Sequence, residues 1–419
     1  MGKFLTIFSA FIIMLCLGSV YAWSLIASEL MTVYNFSAAQ SQVIFGTIIA
    51  IFPTTMIFVG QLARKILPRY LGYISGFLFL SGYMLAGNAN GNFMLTYLGL
   101  GIIAGIATGF GYWISLTIPV QWFPEKKGLI TGVAAAGFGL GAVFMSAISE
   151  KILLSGKDVL ELIQFIGISY GITIILFSNF IAVKNPFSGT ALLNKKIKEV
   201  ISSRIFAKLF IGIFLGTFAG LLIIGSLKII GEQSNINNRV LILGVSLFAA
   251  TNFLGRLTWG FLSDYIGANL SVFFALFLQS IAIISLNIFD LSDATYMILS
   301  IFMGFGFGGN FVLFAKETAQ IFGVKKLGLI YPYVLLGYAI AGIAGPATGG
   351  VLFDVSDSFF YAIILASFMS LVGSLLFLKE HVSLRKKNNS NNNHHIGVPA
   401  CQYVCETNTA AKIQNCKPD

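Results

Sequence analysis

The sequence predicts an all-α membrane protein with twelve transmembrane helices arranged in two pseudo-symmetric halves of six. Three observations predict this fold class. Hydrophobic residues make up 57% of the 419 residues and charged residues only 10%. The apolar residues form twelve separate runs, and the basic residues are concentrated in alternate connections between those runs. Together these features predict that most of the chain lies in a lipid bilayer.

The composition excludes an ordinary soluble domain, in which about 25% of residues are charged. A soluble chain of this length has too little core volume to hide so much apolar surface, whereas a bilayer solvates it. The 45 glycines are typical of membrane helices that pack closely, because small residues let the backbones approach one another.

Each predicted span comes from an apolar run close to the length of about 20 residues that the hydrocarbon core requires. Short polar breaks such as GNANGN and GEQSNINNR separate the runs. The predicted spans are 4–27, 41–62, 71–89, 93–118, 128–149, 163–183, 207–230, 240–262, 270–288, 295–315, 327–350 and 358–378.

The distribution of Lys and Arg predicts the orientation. With the N-terminus inside, the inner segments through the start of the tail hold nineteen basic residues and the outer segments hold four. Because basic residues accumulate on the cytoplasmic side, both termini are predicted to be cytoplasmic, in a multi-pass protein of the inner or plasma membrane. The net charge of +10 is therefore a topology signal, and we expect no nucleic-acid partner.

A short internal repeat divides the chain. GQLARKILPRYLG (60–72) follows the second span and GFLSDYIGANL (260–270) follows the eighth, at the same place in each half. Transporters built from such repeats bind their substrate between the halves near the midplane. We predict an N-terminal half (1–183), a cytoplasmic linker (184–206), a C-terminal half (207–378) and a disordered cytoplasmic tail (379–419) containing KKNNSNNNHH.

The loop after the eighth span resembles the signature loop of the major facilitator superfamily, GxLSDxxG, through Gly260, Asp264 and Gly267. The resemblance implies the major facilitator fold and a gating role for these three residues. The N-terminal copy of the loop departs from the pattern, since Arg64 stands where an Asp is usual.

Longer stretches resemble the oxalate/formate antiporter family, which is related to the monocarboxylate transporters and includes bacterial pyruvate-type carriers. These stretches are LGSVYAWSL (17–25), GYWISLTIPVQWFPEKKGLITG (111–132), GFGFGGN (304–310) and GYAIAGIAGPATGG (337–350). They imply a secondary transporter of small organic anions, without fixing the substrate.

Arg256 is the charged residue that most needs a reason, because it lies about 12 Å inside the bilayer from the Asp264 boundary. Arginine at that depth costs about 2.5–3.5 kcal/mol on insertion scales, so it needs a partner or a task. Two interpretations remain open: an ion pair with Asp264 or contacts with loop carbonyls, forming a gate, or bidentate binding of a substrate carboxylate. The resemblance favours the second, because the matching arginine of these families binds the carboxylate.

The remaining candidate residues come from helices that line the pore in the superfamily. Monocarboxylate transporters carry an acidic residue where this chain has Asn252, and the oxalate carrier has a lysine in the eleventh span where this chain has Tyr338. One cationic group suits one carboxylate better than two. The predicted substrate-binding residues are Arg256, Tyr21, Tyr112, Asn252, Asn310, Phe311 and Tyr338.

The predicted function is alternating-access transport of small monocarboxylates, by proton symport or anion exchange. The alternatives are a transporter-like sensor or receptor, and a carrier of another small organic anion or an amino acid. The spans contain no histidine and no paired carboxylates, so we predict no enzyme, no cofactor and no metal site. The expected partners are the bilayer, the organic anion and, for symport, protons; the protein is expected to be a monomer.

Overall fold

In the computed structural model, residues 2–184 and 199–393 are described, and every regular element within them is helical. Within these described residues, twelve helices are long and apolar enough to cross a membrane, which confirms the predicted number. A helix satisfies its own backbone polar groups, which hydrocarbon cannot do, so a chain this apolar crosses the bilayer as helices. The protein is therefore a multi-pass membrane protein.

The spans are numbered in chain order, and two of them contain irregular turns. Span 1 is Gly2–Leu17, continued by a 3-10 turn at Gly18–Ala22 and a helix at Trp23–Tyr34. Span 4 begins at Phe93–Thr96, passes through a π-helical stretch at Tyr97–Ile103 and ends as Ala104–Trp122. Span 12, Phe360–Asn393, continues beyond the apolar segment. The others are span 2 Ala38–Leu62, span 3 Pro68–Gly87, span 5 Lys127–Leu154, span 6 Val159–Ser178, span 7 Arg204–Gln233, span 8 Asn238–Ile266, span 9 Ala268–Ile288, span 10 Asp293–Phe322 and span 11 Val324–Ser356.

Polar caps fix where several spans begin. Ser37 accepts a hydrogen bond from the backbone N–H of Gln40, and the Gln40 side chain accepts one from the Ser37 N–H, which is a capping box at the start of span 2. Ser203 and Ser292 cap spans 7 and 10 in the simpler way, through a side-chain oxygen and one backbone N–H. These caps supply partners for N–H groups that the helix leaves unpaired.

Most spans extend a few residues beyond the predicted bounds, and two ends differ in other ways. Span 6 ends at Ser178 rather than 183. Span 12 continues to Asn393, although disorder was predicted from Lys379. Leu, Lys and Arg in the sequence EHVSLRKK are good helix formers, and a helix that already exists in the membrane is extended without a new nucleation step. Residues from 394 onward, including the tail histidines 394 and 395, lie outside the described residues.

The two six-helix halves meet mainly along two helix pairs, spans 5 and 8 and spans 2 and 11. Each pair crosses at a glycine contact between backbones. A Cβ added to Gly128 would lie 2.3 Å from the carbonyl oxygen of Gly260, and one added to Gly60 would lie 2.3 Å from that of Gly328. The equivalence of these two crossings agrees with the repeat in the sequence.

Because the number of spans is even, the start of span 1 and the end of span 12 lie on the same side of the helical bundle. We call this side the termini end. Gly60, Gly128, Gly260 and Gly328 all lie toward it, at the last turns of spans 2 and 8 and the first turns of spans 5 and 11. The halves are therefore in direct backbone contact at the termini end.

Candidate functional site

Arg256 lies on span 8 where that helix packs against span 5, and its side chain is completely buried. Its Nε donates to Oδ1 of Asn252 at 3.1 Å and its Nη1 donates to the carbonyl oxygen of Ala135 at 2.9 Å. Its Nη2 is buried without a hydrogen-bond partner. Gly139 of span 5 leaves room for the side chain, since a Cβ there would reach van der Waals contact with the guanidinium at 3.5 Å.

No carboxylate pairs with Arg256 among residues 2–184 and 199–393. The ion pair with Asp264, one of the two interpretations left open by the sequence, is absent, because Asp264 binds elsewhere. The carbonyl that Arg256 does contact, that of Ala135, belongs to a helix of the opposite half and not to a loop. The arginine thus joins the two halves within the bundle.

Five aromatic side chains and Arg256 form a closed circuit of contacts, here called the Arg256 cage. The guanidinium carbon lies 4.4 Å from the centre of the Phe311 ring, and the Phe311 and Tyr338 rings are 5.1 Å apart. The Phe52 ring centre lies 6.0 Å from that of Tyr338 and 5.4 Å from that of Tyr112. The Phe138 ring closes the circuit, since its centre lies 5.3 Å from that of Tyr112 and 6.0 Å from the guanidinium carbon.

The cage takes three members from each half, and none is more than 2% exposed. Phe52, Tyr112 and Phe138 come from spans 2, 4 and 5, and the other three come from spans 8, 10 and 11. Aromatic faces attract a guanidinium and exclude water, so the positive charge stands in a dry, preorganised surrounding. Such a surrounding strengthens any interaction with an anion that enters it.

The structure brings together only part of the predicted substrate-binding set. Tyr112, Phe311 and Tyr338 belong to the cage, and Asn252 contacts Arg256 through the guanidinium Nε. Asn252 therefore orients the arginine from one turn earlier in the same helix. Tyr21 lies in the 3-10 turn of span 1, and its side chain lies outside what the structure describes.

Asn310 is not in the cage, although it precedes Phe311. Its amide nitrogen donates to the carbonyl oxygen of Phe307 at 3.1 Å and is 3.4 Å from Oε1 of Gln279. Its Oδ1 lies where a Cβ on Gly216 would be, and Gln279 donates to the Gly216 carbonyl oxygen at 2.9 Å. Successive helical residues point about 100° apart, so Asn310 faces spans 7 and 9 while Phe311 faces Arg256.

The signature loop forms a separate polar cluster at the termini end. Asp264 accepts hydrogen bonds from the backbone N–H of Gly128 at 2.9 Å and of Leu129 at 2.8 Å, a pair of contacts here called the Asp264 latch. A carboxylate at the first turn of span 5 satisfies its free N–H groups and opposes the positive end of its dipole. Gly267 ends span 8 with φ of +87°, a conformation that favours glycine.

Sequence reasoning missed two members of the cage and two buried charges on span 10. Phe52 and Phe138 are two of 40 phenylalanines, and nothing in their local sequence marks them. Lys316, counted with the basic residues of an inner segment, and Glu317 are buried inside span 10 at 5% and 3% exposure. The signal available was two adjacent charges, in AKET, next to an apolar run.

Two further observations concern charge and metals. Lys228 pairs with Glu232 at 3.4 Å near the end of span 7, with about half of each side chain exposed. Within residues 2–184 and 199–393, no three His, Cys, Asp or Glu side chains are placed to hold a metal ion.

Comparison with known proteins agrees with this architecture. The sequence profile of the Major Facilitator Superfamily matches residues 209–409. The chain is 27% identical over 355 residues to the oxalate:formate antiporter of Oxalobacter formigenes, covering 81% of this chain and 83% of that one. It is 21% identical over 441 residues to the apicoplast pyruvate carrier 1 of Toxoplasma gondii, covering 79% and 80%.

Among solved structures, the fucose:proton symporter FucP of Escherichia coli has the same fold. Its TM-score is 0.70 at 13% identity, and the match covers 90% of this chain and 98% of FucP. At that identity the likeness concerns the fold alone. The profile match, the relatives of nearly equal length and the twelve-helix architecture agree with the resemblance in the signature loop, and the chain has the fold of the major facilitator superfamily, to whose members its sequence is similar.

Proposed function

We propose that the protein transports small monocarboxylates, such as formate, pyruvate or lactate, by alternating access, with the substrate carboxylate bound by Arg256 inside the cage. The observation that carries the proposal is a fully buried guanidinium with no carboxylate among its described contacts. A buried charge without a counter-ion is unfavourable, and removing one partner of a buried ion pair destabilises a protein by about 3–5 kcal/mol. A bound carboxylate supplies that counter-ion.

The number of charges supports a monocarboxylate. The cage contains one cationic side chain, and its other members are neutral aromatic residues. A second carboxylate of the same ligand would be placed among rings without a partner, which is unfavourable. The names of the relatives, an oxalate:formate antiporter and a pyruvate carrier, support small carboxylates as the substrate class.

The neutral surroundings of Arg256 favour anion exchange over proton symport. Asn252 and a backbone carbonyl are its hydrogen-bond partners, and neither titrates. In symport, the carrier changes conformation without substrate on its return step, with the guanidinium unpaired. In exchange, the carrier binds a second anion before it returns, so the guanidinium stays paired with a carboxylate. Exchange therefore avoids a cost that symport would have to meet with an acidic residue.

Uptake by purified protein in proteoliposomes tests the proposal. Labelled formate, pyruvate, lactate, oxalate and a neutral amino acid are offered to vesicles that are either empty or loaded with unlabelled formate. We expect uptake of the monocarboxylates, stimulated by internal formate and insensitive to a proton ionophore. Uptake of only the amino acid would contradict the substrate class, and uptake that needs an inward proton gradient would contradict exchange.

A further inference from the structure

Spans 2 and 11 cross at the termini end without the carboxylate that secures spans 5 and 8. In the N-terminal copy of the signature loop, Arg64 occupies the position of Asp264. An arginine has no acceptor, so it cannot bind the free N–H groups at the start of span 11 as Asp264 binds those of span 5. The second crossing therefore needs another kind of contact.

Trp113 of span 4 makes that contact. Its indole Nε1 donates to the carbonyl oxygen of Gly328 at 2.5 Å, and both groups are buried. The ring is packed on the glycine, since a Cβ added to Gly328 would come within 2.5 Å of it. The hydrogen bond joins the two halves, because span 4 belongs to the N-terminal half and span 11 to the C-terminal half.

The carbonyl of Gly328 needs an outside donor because of Pro332. In a helix, the carbonyl of residue i accepts from the N–H of residue i+4, and the residue four positions after Gly328 is a proline within span 11. Proline has no N–H, so this carbonyl lacks its usual partner. The equivalent crossing has Gly132 four residues after Gly128, and its helix has no such gap.

We propose that the Trp113–Gly328 hydrogen bond is a second, uncharged latch that holds the termini end closed. In the closed form the carbonyl is buried, and the indole supplies the donor that Pro332 cannot. When spans 2, 4 and 11 separate, water reaches the carbonyl and can replace the indole. Loss of the indole N–H thus destabilises the closed form and leaves the open form nearly unchanged. The proposal concerns conformation and stands apart from the identity of the substrate.

The test uses Trp113→Phe, which keeps an aromatic ring and removes the N–H. Trp259→Phe is the matched control, because the Trp259 Nε1 donates to the carbonyl oxygen of Phe305 at 3.0 Å within one half. The reporter is Met56→Cys, placed in a protein whose own four cysteines are replaced by alanine. Met56 is fully buried on span 2 between the cage residue Phe52 and the crossing at Gly60.

The rate of labelling of residue 56 by a membrane-impermeant maleimide is measured without substrate, in vesicles that expose the termini end. We expect Trp113→Phe to increase the rate about fivefold or more, as an unsatisfied buried carbonyl implies. Trp259→Phe should leave it unchanged. Equal rates in the two variants would overturn the proposal, as would an increase that thermal melting shows to be general unfolding in both.

Pro332→Ala provides the decisive comparison, since it restores an N–H four residues after Gly328. In that background the Gly328 carbonyl has a partner within its own helix, so adding Trp113→Phe should no longer increase labelling. An undiminished effect would show that the indole acts through something other than this carbonyl and would overturn the proposal. If Trp113→Phe alone fails to fold, the double variant should fold, and its failure to do so would count against the proposal.

Discussion

The ammonium of Lys316 lies 2.7 Å from the carboxylate of Asp264, and these side chains are only 6% and 12% exposed. The same carboxylate forms the Asp264 latch on span 5, and Lys316 also donates to Ser263 at 3.1 Å. Span 10 is thereby connected through Asp264 to the opposite half. The latch depends on a carboxylate with three donors, one of which is itself a buried charge.

Asp264→Asn should shift the protein toward the form that is open at the termini end. The substitution removes the carboxylate that contacts the buried Lys316, and loss of a buried ion-pair partner costs about 3–5 kcal/mol in the closed form, and less when opening lets water reach the lysine. The labelling rate at Met56→Cys should rise, while the affinity for monocarboxylates is largely kept. Lys228→Gln is the control, since the Lys228–Glu232 pair is half exposed and its loss should have little effect.

Arg256→Ala should weaken carboxylate binding by about 1.5–3 kcal/mol, the range for hydrogen bonds to charged groups. Arg256→Lys keeps the charge but loses the planar arrangement of donors, so binding should be weakened while the fold survives. Equilibrium binding of labelled formate or pyruvate to purified protein measures both. Arg239→Ala, an exposed position on the same span, is the control. Unchanged affinity in Arg256→Ala would remove the arginine from the binding site.

The sequence predicts that Arg256 needs a partner, but it does not predict which residues surround Arg256 or that Asp264 binds span 5 instead. The number of spans, the repeat and the need of a buried arginine for a partner all follow from residue types and spacing. The contact of Arg256 with Ala135 and the membership of Phe52 and Phe138 in the cage depend on how the halves pack, which periodicity does not encode. Asn310 lies outside the cage because it precedes Phe311 by one residue on span 10, and this difference points its side chain toward spans 7 and 9.

Asn252→Asp should make anion binding depend on pH. The new carboxylate would stand where Asn252 Oδ1 now accepts from the guanidinium Nε at 3.1 Å, and in its ionised form it would neutralise Arg256 from within the protein. Binding of formate should be weaker than wild type at neutral pH and should recover as the pH is lowered and the carboxyl becomes neutral. A binding curve parallel to that of the wild-type protein across the pH range would contradict an uncompensated charge as the basis of binding.

The predicted orientation can be checked with two exposed positions on opposite sides of the bundle. Lys157 lies between spans 5 and 6, and Lys184 follows span 6 at the termini end. In a cysteine-free protein, Lys157→Cys should react with an impermeant maleimide applied to intact cells, and Lys184→Cys should react only after permeabilisation. The reverse pattern would mean that the termini lie outside and that the asymmetry of Lys and Arg was misinterpreted.

Tyr338→Lys tests whether the number of cations in the cage sets the charge of the substrate. Tyr338 is fully buried, and its ring lies between those of Phe311 and Phe52, so a lysine there would add a second positive charge close to Arg256. Two cations suit two carboxylates, because each carboxylate then has its own charge-assisted partner. The ratio of oxalate to formate affinity should rise in Tyr338→Lys. Tyr338→Phe, which keeps the ring and adds no charge, should leave that ratio near the wild-type value. A wild-type protein that already binds oxalate as tightly as any monocarboxylate would contradict the one-cation argument before either variant is made.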